Sequence, residues 1–121
     1  MSKKILVVED TEDNRQILRD LLSAAGYDMI EAHDGAEGVA KASEHRPDLI
    51  LMDIQMPVMD GYEATRRIKA DAALKSIPVI AVTSYALSGD EDKARAAGCD
   101  GYVAKPFSPR QMLAKVREII G

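Results

Sequence analysis

LILMDIQMPVMDG, residues Leu49 to Gly61, is the stretch on which the fold turns. Leu49, Ile50, Leu51 and Met52 form a short unbroken apolar run, the mark of a strand buried on both faces. It ends on a charge, Asp53, and is followed by the turn signals Pro57 and Asp60-Gly61. From Tyr62 to Ala70 the apolar spacing becomes helical. A carboxylate at the C-terminal end of a buried parallel strand stands on the rim of the sheet, where open α/β folds place their ligands. Taken alone, such an aspartate reads equally well as a helix cap or turn residue, so the flanking sequence must decide.

Working outward, the same punctuation recurs. Ile5–Val8 (ILVV) is a β-branched run that stops at Glu9-Asp10. Asp13–Ala25 carries Ile17, Leu18, Leu21, Leu22 and Ala25 on one helical face, and Gly26 follows it as a terminating glycine. Tyr27–Ala32 alternates as a less buried strand; Asp34-Gly35-Ala36-Glu37 opens a helix reaching about Glu44, and Pro47 blocks its continuation. Downstream of the central stretch, Asp60-Gly61-Tyr62-Glu63 opens a third helix, and Val79–Val82 is a buried run ending at Thr83-Ser84. Ser88-Gly89-Asp90-Glu91 opens a fourth helix, closed by Gly98. Asp100–Ala104 is a fifth strand ending at Lys105-Pro106, and Ser108-Pro109 caps a last helix carrying Met112, Leu113, Val116, Ile119 and Ile120. Five strand-helix pairs in strict alternation with short loops predict a five-stranded parallel α/β sheet, doubly wound, with five helices on its two faces. A closed eightfold barrel needs about twice this length.

Composition sets bounds on function. The 121 residues make one domain spanning 1–121, with 46% apolar and 30% charged residues and no linker, repeat or low-complexity segment. A net charge of −4 argues against a nucleic-acid partner. No apolar run approaches the ~20 residues of a membrane span, and MSKK leads straight into a strand, so neither a membrane segment nor a signal peptide is expected. The single cysteine, Cys99, has no internal partner and reads as a small core residue, consistent with a cytoplasmic chain. His33 and His45 lack ligand spacing and read as solvent-facing, Arg66-Arg67 as a solvated helix face, and Met52, Met56 and Met59 as packing around Asp53.

Parallel strands bring their C-terminal ends to one rim, which here collects Glu9, Asp10, Asp53, Thr83-Ser84 and Lys105. Two carboxylates 4 Å apart repel by roughly 4 kcal/mol at an effective dielectric near 20. Lys105 offsets only one of three such charges. A hard divalent ion suits the remainder, and Mg²⁺ suits few carboxylates together with water and a phosphoryl oxygen. Asp53 is then an ionised nucleophile toward phosphorus, with Lys105 to neutralise one phosphoryl oxygen and Thr83 to hydrogen-bond another.

On these residues, Glu9-Asp10, Asp53 within MDIQMPVMDG, Thr83 and Lys105-Pro106, the whole chain resembles a response-regulator receiver domain. The resemblance implies the flavodoxin-like strand order 2-1-3-4-5. It implies a two-component or phosphorelay signalling protein whose Asp53 takes a phosphoryl group from a sensor histidine kinase or histidine phosphotransfer protein. Asp10 and Asp53 would bind Mg²⁺ (Mn²⁺ being the alternative) through their side chains, Glu9 mainly through water, and Gln55 through its main-chain carbonyl. The Lys105-Pro106 bond would be cis. Glu9 is a minor departure, since Asp is also common there. No effector sequence follows the last helix, so the chain resembles single-domain regulators of chemotaxis, cell-cycle control and phosphorelays, acting on a downstream protein target. Thr83 and Tyr102 would be the switch pair, a structural Tyr102 being the alternative. The partner-facing residues would be Asn14, Ile17, Leu18, Ala86, Leu87, Tyr102, Pro106 and Phe107. By the same resemblance the chain is not a conventional enzyme but a phosphoryl acceptor that slowly dephosphorylates itself. Gln55 and Tyr85 would govern water access, the bulky Tyr85 pointing to slower hydrolysis. It would be a monomer, with a phosphorylation-dependent dimer as the alternative.

Other classes fit less well. A mononucleotide or flavin site needs a glycine- or hydroxyl-rich cradle after the first strand, and VVEDTEDNR offers acids instead. A phosphatase working through an aspartyl-phosphate typically carries a second Asp two residues after the nucleophile, where this chain has Gln55. A phosphorylation-independent interaction module would be expected to lose an acid, the threonine or the lysine, and all are present.

Overall fold

The computed structural model describes residues 3–83 and 90–121; Ser84, Tyr85, Ala86, Leu87 and the Ser88-Gly89 helix start lie outside the described residues. The elements alternate throughout: β1 (Lys4–Val8), α1 (Glu12–Ala24), β2 (Asp28–Ala32), α2 (Gly35–His45), β3 (Leu49–Asp53), α3 (Gly61–Ala70), β4 (Val79–Thr83), α4 (Asp90–Ala97), β5 (Gly101–Ala104) and α5 (Pro109–Ile120). The strands form one sheet in the order β2-β1-β3-β4-β5, all pairs parallel, as the resemblance implied.

The sheet divides the core by the two-residue period of its strands. Leu6, Val8, Ile50, Met52, Val79 and Ala81 face one side and pack with Ala42, Ala64, Ile68 and Ala94 of α2, α3 and α4. Ile5, Val7, Leu49, Leu51, Ile80 and Val82 face the other and pack with Leu18, Leu22, Met112 and Val116 of α1 and α5. β3 and β4 are buried along their whole length, which is why their sequences read as continuous apolar runs. Each fully buried Ile or Leu contributes about 1.5–3 kcal/mol, so the central strands anchor the rim that follows them.

Helix boundaries follow local chemistry. Asp34 and Asp60 accept hydrogen bonds from the Glu37 and Glu63 amides, and Ser108 with Gln111 completes a reciprocal capping box with Pro109 in the first turn. α2 runs one residue beyond the expected Glu44; Arg46, before Pro47, then ends the helix in the left-handed conformation at φ 46°, its amide donating to the Ala42 carbonyl. Cys99 is buried, as expected, as are Met52 and Met56. Arg66 and Arg67 are exposed and pair with Glu63 on their own helix.

Two ionic ties brace the fold away from the rim. At the opposite end of the sheet, Lys69 Nζ donates to the carbonyls of Lys75 (3.1 Å) and Ile77 (2.8 Å) and to Asp100 Oδ2 (2.9 Å). The same Asp100 oxygen accepts the Val79 amide at 2.9 Å, fixing the entries to β4 and β5 together. On the β2 edge, Arg19 pairs with Glu31, and Lys41 Nζ donates to the Glu31 carbonyl at 2.7 Å, so charged side chains cover the sheet edge.

Candidate functional site

Registry and strand length deliver the acids and the lysine to one place. β1 and β3 run side by side with Val8 opposite Met52, so the residues that follow, Glu9 and Asp53, leave the sheet together. β4 pairs with β5 with Thr83 opposite Ala104, which carries Lys105 back over the same rim. One oxygen from each of Glu9, Asp10 and Asp53 lies within 4.8 Å of the others. Lys105 Nζ sits 3.0 Å from both Glu9 Oε1 and Asp53 Oδ1. Glu9 and Asp53 are 2% and 3% exposed, whereas Asp10 faces solvent, so the cluster is a half-open cup.

The β3–α3 loop is pressed onto this cup. The Gly61 amide donates to the Ile54 carbonyl at 3.1 Å, and a Cβ at Gly61 would collide with the Asp53 carbonyl and Ile54. The Asp-Gly turn signal is thus a packing requirement: a side chain there would push Asp53 off its position. Further along the same loop, Val58 is fully exposed with φ 68°, a strained setting for a β-branched residue that the sequence reading did not flag.

The protonation pattern follows from burial and crowding. Burial first, and then the neighbouring Glu9 charge, push Asp53 from 3.8 up to about 7, against the opposing pull of Lys105. Burial would raise Glu9 too, but it is outweighed by hydrogen bonds shared with Asp10 and Asp53 and accepted from the Thr11 amide and Lys105, which hold it below the usual carboxylate range. Asp10 is raised by its hydrogen bond with Glu9, by burial and by the Glu9 charge. Lys105 is raised: burial works against its charge, but the contacts with Asp53 and Glu9 prevail. Lys105 thus offsets the crowding only in part, and a second cation would favour the ionised form of Asp53. The crowded hard-oxygen donors fit a small divalent ion.

The other expected residues are distributed around this cup. Thr83 is fully buried, and its hydroxyl accepts a hydrogen bond from the Gln55 side-chain amide. Lys105-Pro106 is cis, as the resemblance implied. Tyr102 is half-buried and packs against the α2-α3-α4 face of the core. A cleft of about 520 Å³ opens beside Asp53 and is walled by Asn14, Ile17, Leu18, Pro106 and Phe107. Ile17 is 53% exposed at its mouth. Leu18 corrects the expectation of a partner-facing residue: it is 4% exposed, because its position on α1 points it into the core, and it forms the cleft floor. Asn14 also has an inward task, its Nδ2 donating to Glu9 Oε1 at 3.1 Å. Ala86 and Leu87 lie outside the described residues. Arg15, not singled out from the sequence, reaches the same turn: its Nη1 donates to the Glu9 carbonyl at 2.7 Å.

Comparison with known proteins agrees with this architecture. The model of the response regulator receiver domain matches residues 5–117. The polar-differentiation response regulator DivK of Brucella anthropi is 46% identical over 121 residues, covering 100% of this chain and 98% of that protein. Among solved structures, the Vibrio cholerae chemotaxis protein CheY4 superposes with a TM-score of 0.93 at 32% identity, covering 98% of this chain and 99% of that one. The receiver domain of a sensor histidine kinase from Pseudomonas aeruginosa PAO1, solved with a magnesium ion coordinated in its active site cleft, gives a TM-score of 0.93 at 38% identity, covering 100% and 99%. Among the described residues, no helix is long and apolar enough to cross a membrane.

Proposed function

The chain belongs to the response regulator receiver domain family, and on that premise we propose that Asp53 accepts a phosphoryl group from a phosphohistidine on a partner kinase or phosphotransfer protein, in a Mg²⁺-dependent step that switches a protein-binding surface. The observation that carries this reading is the placement of Asp53: a buried carboxylate held 3.0 Å from Lys105, beside two further acids, at the foot of an open cleft.

An Asp53 oxygen attacks phosphorus; a P–O bond forms, the P–N bond to the imidazole breaks, and the imidazole nitrogen keeps the electron pair. Lys105, already between Glu9 and Asp53, is within reach of the transferred oxygens and offsets their charge. Glu9, Asp10 and Asp53, with the Gln55 main-chain carbonyl, would hold Mg²⁺, which supplies charge neutralisation at the phosphoryl oxygens. Gln55 disfavours the phosphatase alternative, since its carboxamide is engaged with Thr83 and carries no acidic proton. Thr83, drawn toward the new phosphoryl oxygens, would release space toward Tyr102 and alter the surface around β5 and the following loop. On this reading the chain is a phosphoryl acceptor with slow self-dephosphorylation rather than a conventional enzyme.

Incubation with acetyl phosphate and Mg²⁺ should add one phosphoryl group by intact mass, and Asp53→Asn should abolish the addition. Undiminished labelling of the Asn variant would assign the nucleophile elsewhere.

A further inference from the structure

Glu9 and Asp10 stand on the turn after β1, and two ligands on a turn converge on one ion only if the turn is rigid. Helix capping does not supply that rigidity: Thr11, the N-cap of α1, makes no side-chain cap hydrogen bond. The Glu9 carboxylate does part of the work, its Oε2 accepting the Thr11 amide at 3.1 Å. The Glu9 main chain is clamped from both sides. Its amide donates to the Ala32 carbonyl of β2 at 3.0 Å, and its carbonyl accepts Arg15 Nη1 at 2.7 Å.

Arg15 is anchored in turn. Its Nη2 donates to Glu12 Oε2 at 2.6 Å, its Nε lies 3.4 Å from Glu31 Oε1, and its side chain is only 11% exposed. Glu31 precedes Ala32, so adjacent residues of β2 hold the Glu9 amide directly and the Glu9 carbonyl through the arginine. A guanidinium fork makes these contacts at once; an ammonium is a point charge without the fork. Since the Glu9 carbonyl and the Asp10 amide belong to one peptide unit, Arg15 fixes the plane from which both acidic side chains depart.

We propose that Arg15 is a positioning residue for divalent-cation binding: it supplies no ligand, but by fixing the Glu9–Asp10 peptide it sets the convergence of the Glu9 and Asp10 carboxylates. The inference rests on the metal-binding reading above. It differs from an electrostatic role in the sign of its effect. Removing a cation beside three acids should, on charge alone, tighten Mg²⁺ binding; removing a positioning residue should weaken it, and supports around metal ligands typically matter by about 10–100-fold.

Mg²⁺ binding to the unphosphorylated protein is measured by titration calorimetry for wild type, Arg15→Met, Arg15→Lys and Glu31→Gln, with hydrogen exchange at the Asp10 amide in chelator. Arg15→Met should bind about tenfold more weakly and exchange faster at Asp10. Arg15→Lys should fall between it and wild type, and Glu31→Gln should shift affinity less than Arg15→Met. In Arg15→Met, saturating Mg²⁺ should restore the rate of labelling by acetyl phosphate, which a general loss of structure would not allow. Binding as tight as wild type or tighter in Arg15→Met overturns the inference; if that variant does not fold, the same result in Arg15→Lys does so. A wild type that binds no Mg²⁺ would instead refute the metal-binding reading.

Discussion

Replacing Asp53 by asparagine should stabilise the metal-free protein, although it removes a residue at the centre of the site. The folded protein holds Asp53 near 7 against an ordinary 3.8, so between those values the folded state retains a proton that the unfolded state has lost. Stability therefore falls as pH rises through that window and stays low above it. At 1.36 kcal/mol per pH unit, the ceiling on the cost is about 4 kcal/mol at pH 7.5 and less than about 1 kcal/mol at pH 4. Asparagine avoids the ionisation cost but turns an ion pair with Lys105 into a weaker polar contact, so we expect a net gain of about 2 kcal/mol at pH 7.5. For a domain of this size that is a rise of about 8 °C in Tm. Thermal denaturation in chelator at pH 7.5 and pH 4 should show the gain at the higher pH and little at the lower. Saturating Mg²⁺ should close the gap by stabilising wild type selectively, by about 2.7 kcal/mol at a hundred times Kd. An Asn variant no more stable than wild type at pH 7.5, or a gap that ignores pH, would refute the account of crowded buried charge.

Three further outcomes are expected. Thr83→Ala should still be labelled at Asp53 but lose the beryllofluoride-induced change in Tyr102 ring shifts by NMR; identical responses would show that coupling bypasses Thr83. Gly61→Ala should cost about 2 kcal/mol in urea denaturation and slow phosphoryl acceptance, because its Cβ meets the Asp53 carbonyl; unchanged labelling would mean that the loop relaxes without moving the acceptor. Lys69→Met should cost about 1–2 kcal/mol by leaving the part-buried Ile77 carbonyl short of a donor, while the Mg²⁺ affinity of the folded protein stays as in wild type; a change in that affinity would reveal coupling between the two ends of the sheet.

Much of the site could be read before any geometry because parallel strands obey a simple rule: where an apolar run stops, the next residue stands on the common rim. That rule located Glu9, Asp10, Asp53, Thr83 and Lys105 from the ends of four runs. The supporting residues follow no comparable rule. Asn14 and Arg15 sit in the polar run TEDNR and look like a solvated first turn. That they face the Glu9 carboxylate and carbonyl depends on how α1 crosses β1. Leu18 was misassigned to a partner surface for a related reason: helical spacing shows which residues share a face, not where that face meets the core. Val58 was missed because a strained φ in a loop leaves no periodic trace.

The reach of Lys105 has a consequence for how the chain comes into being. It meets Asp53 across 52 positions and Glu9 across 96, so its contacts are among the most non-local in the molecule. A growing polypeptide emerges with Glu9 and Asp53 already made and their counter-charge still to come. Loop-closure entropy must be overcome before that contact contributes, and parallel sheets form slowly for the same reason. On the proposed function, phosphoryl acceptance by Asp53 would then wait on completion of the last strand. A chain stalled short of residue 105 would hold Glu9, Asp10 and Asp53 without their lysine counter-charge.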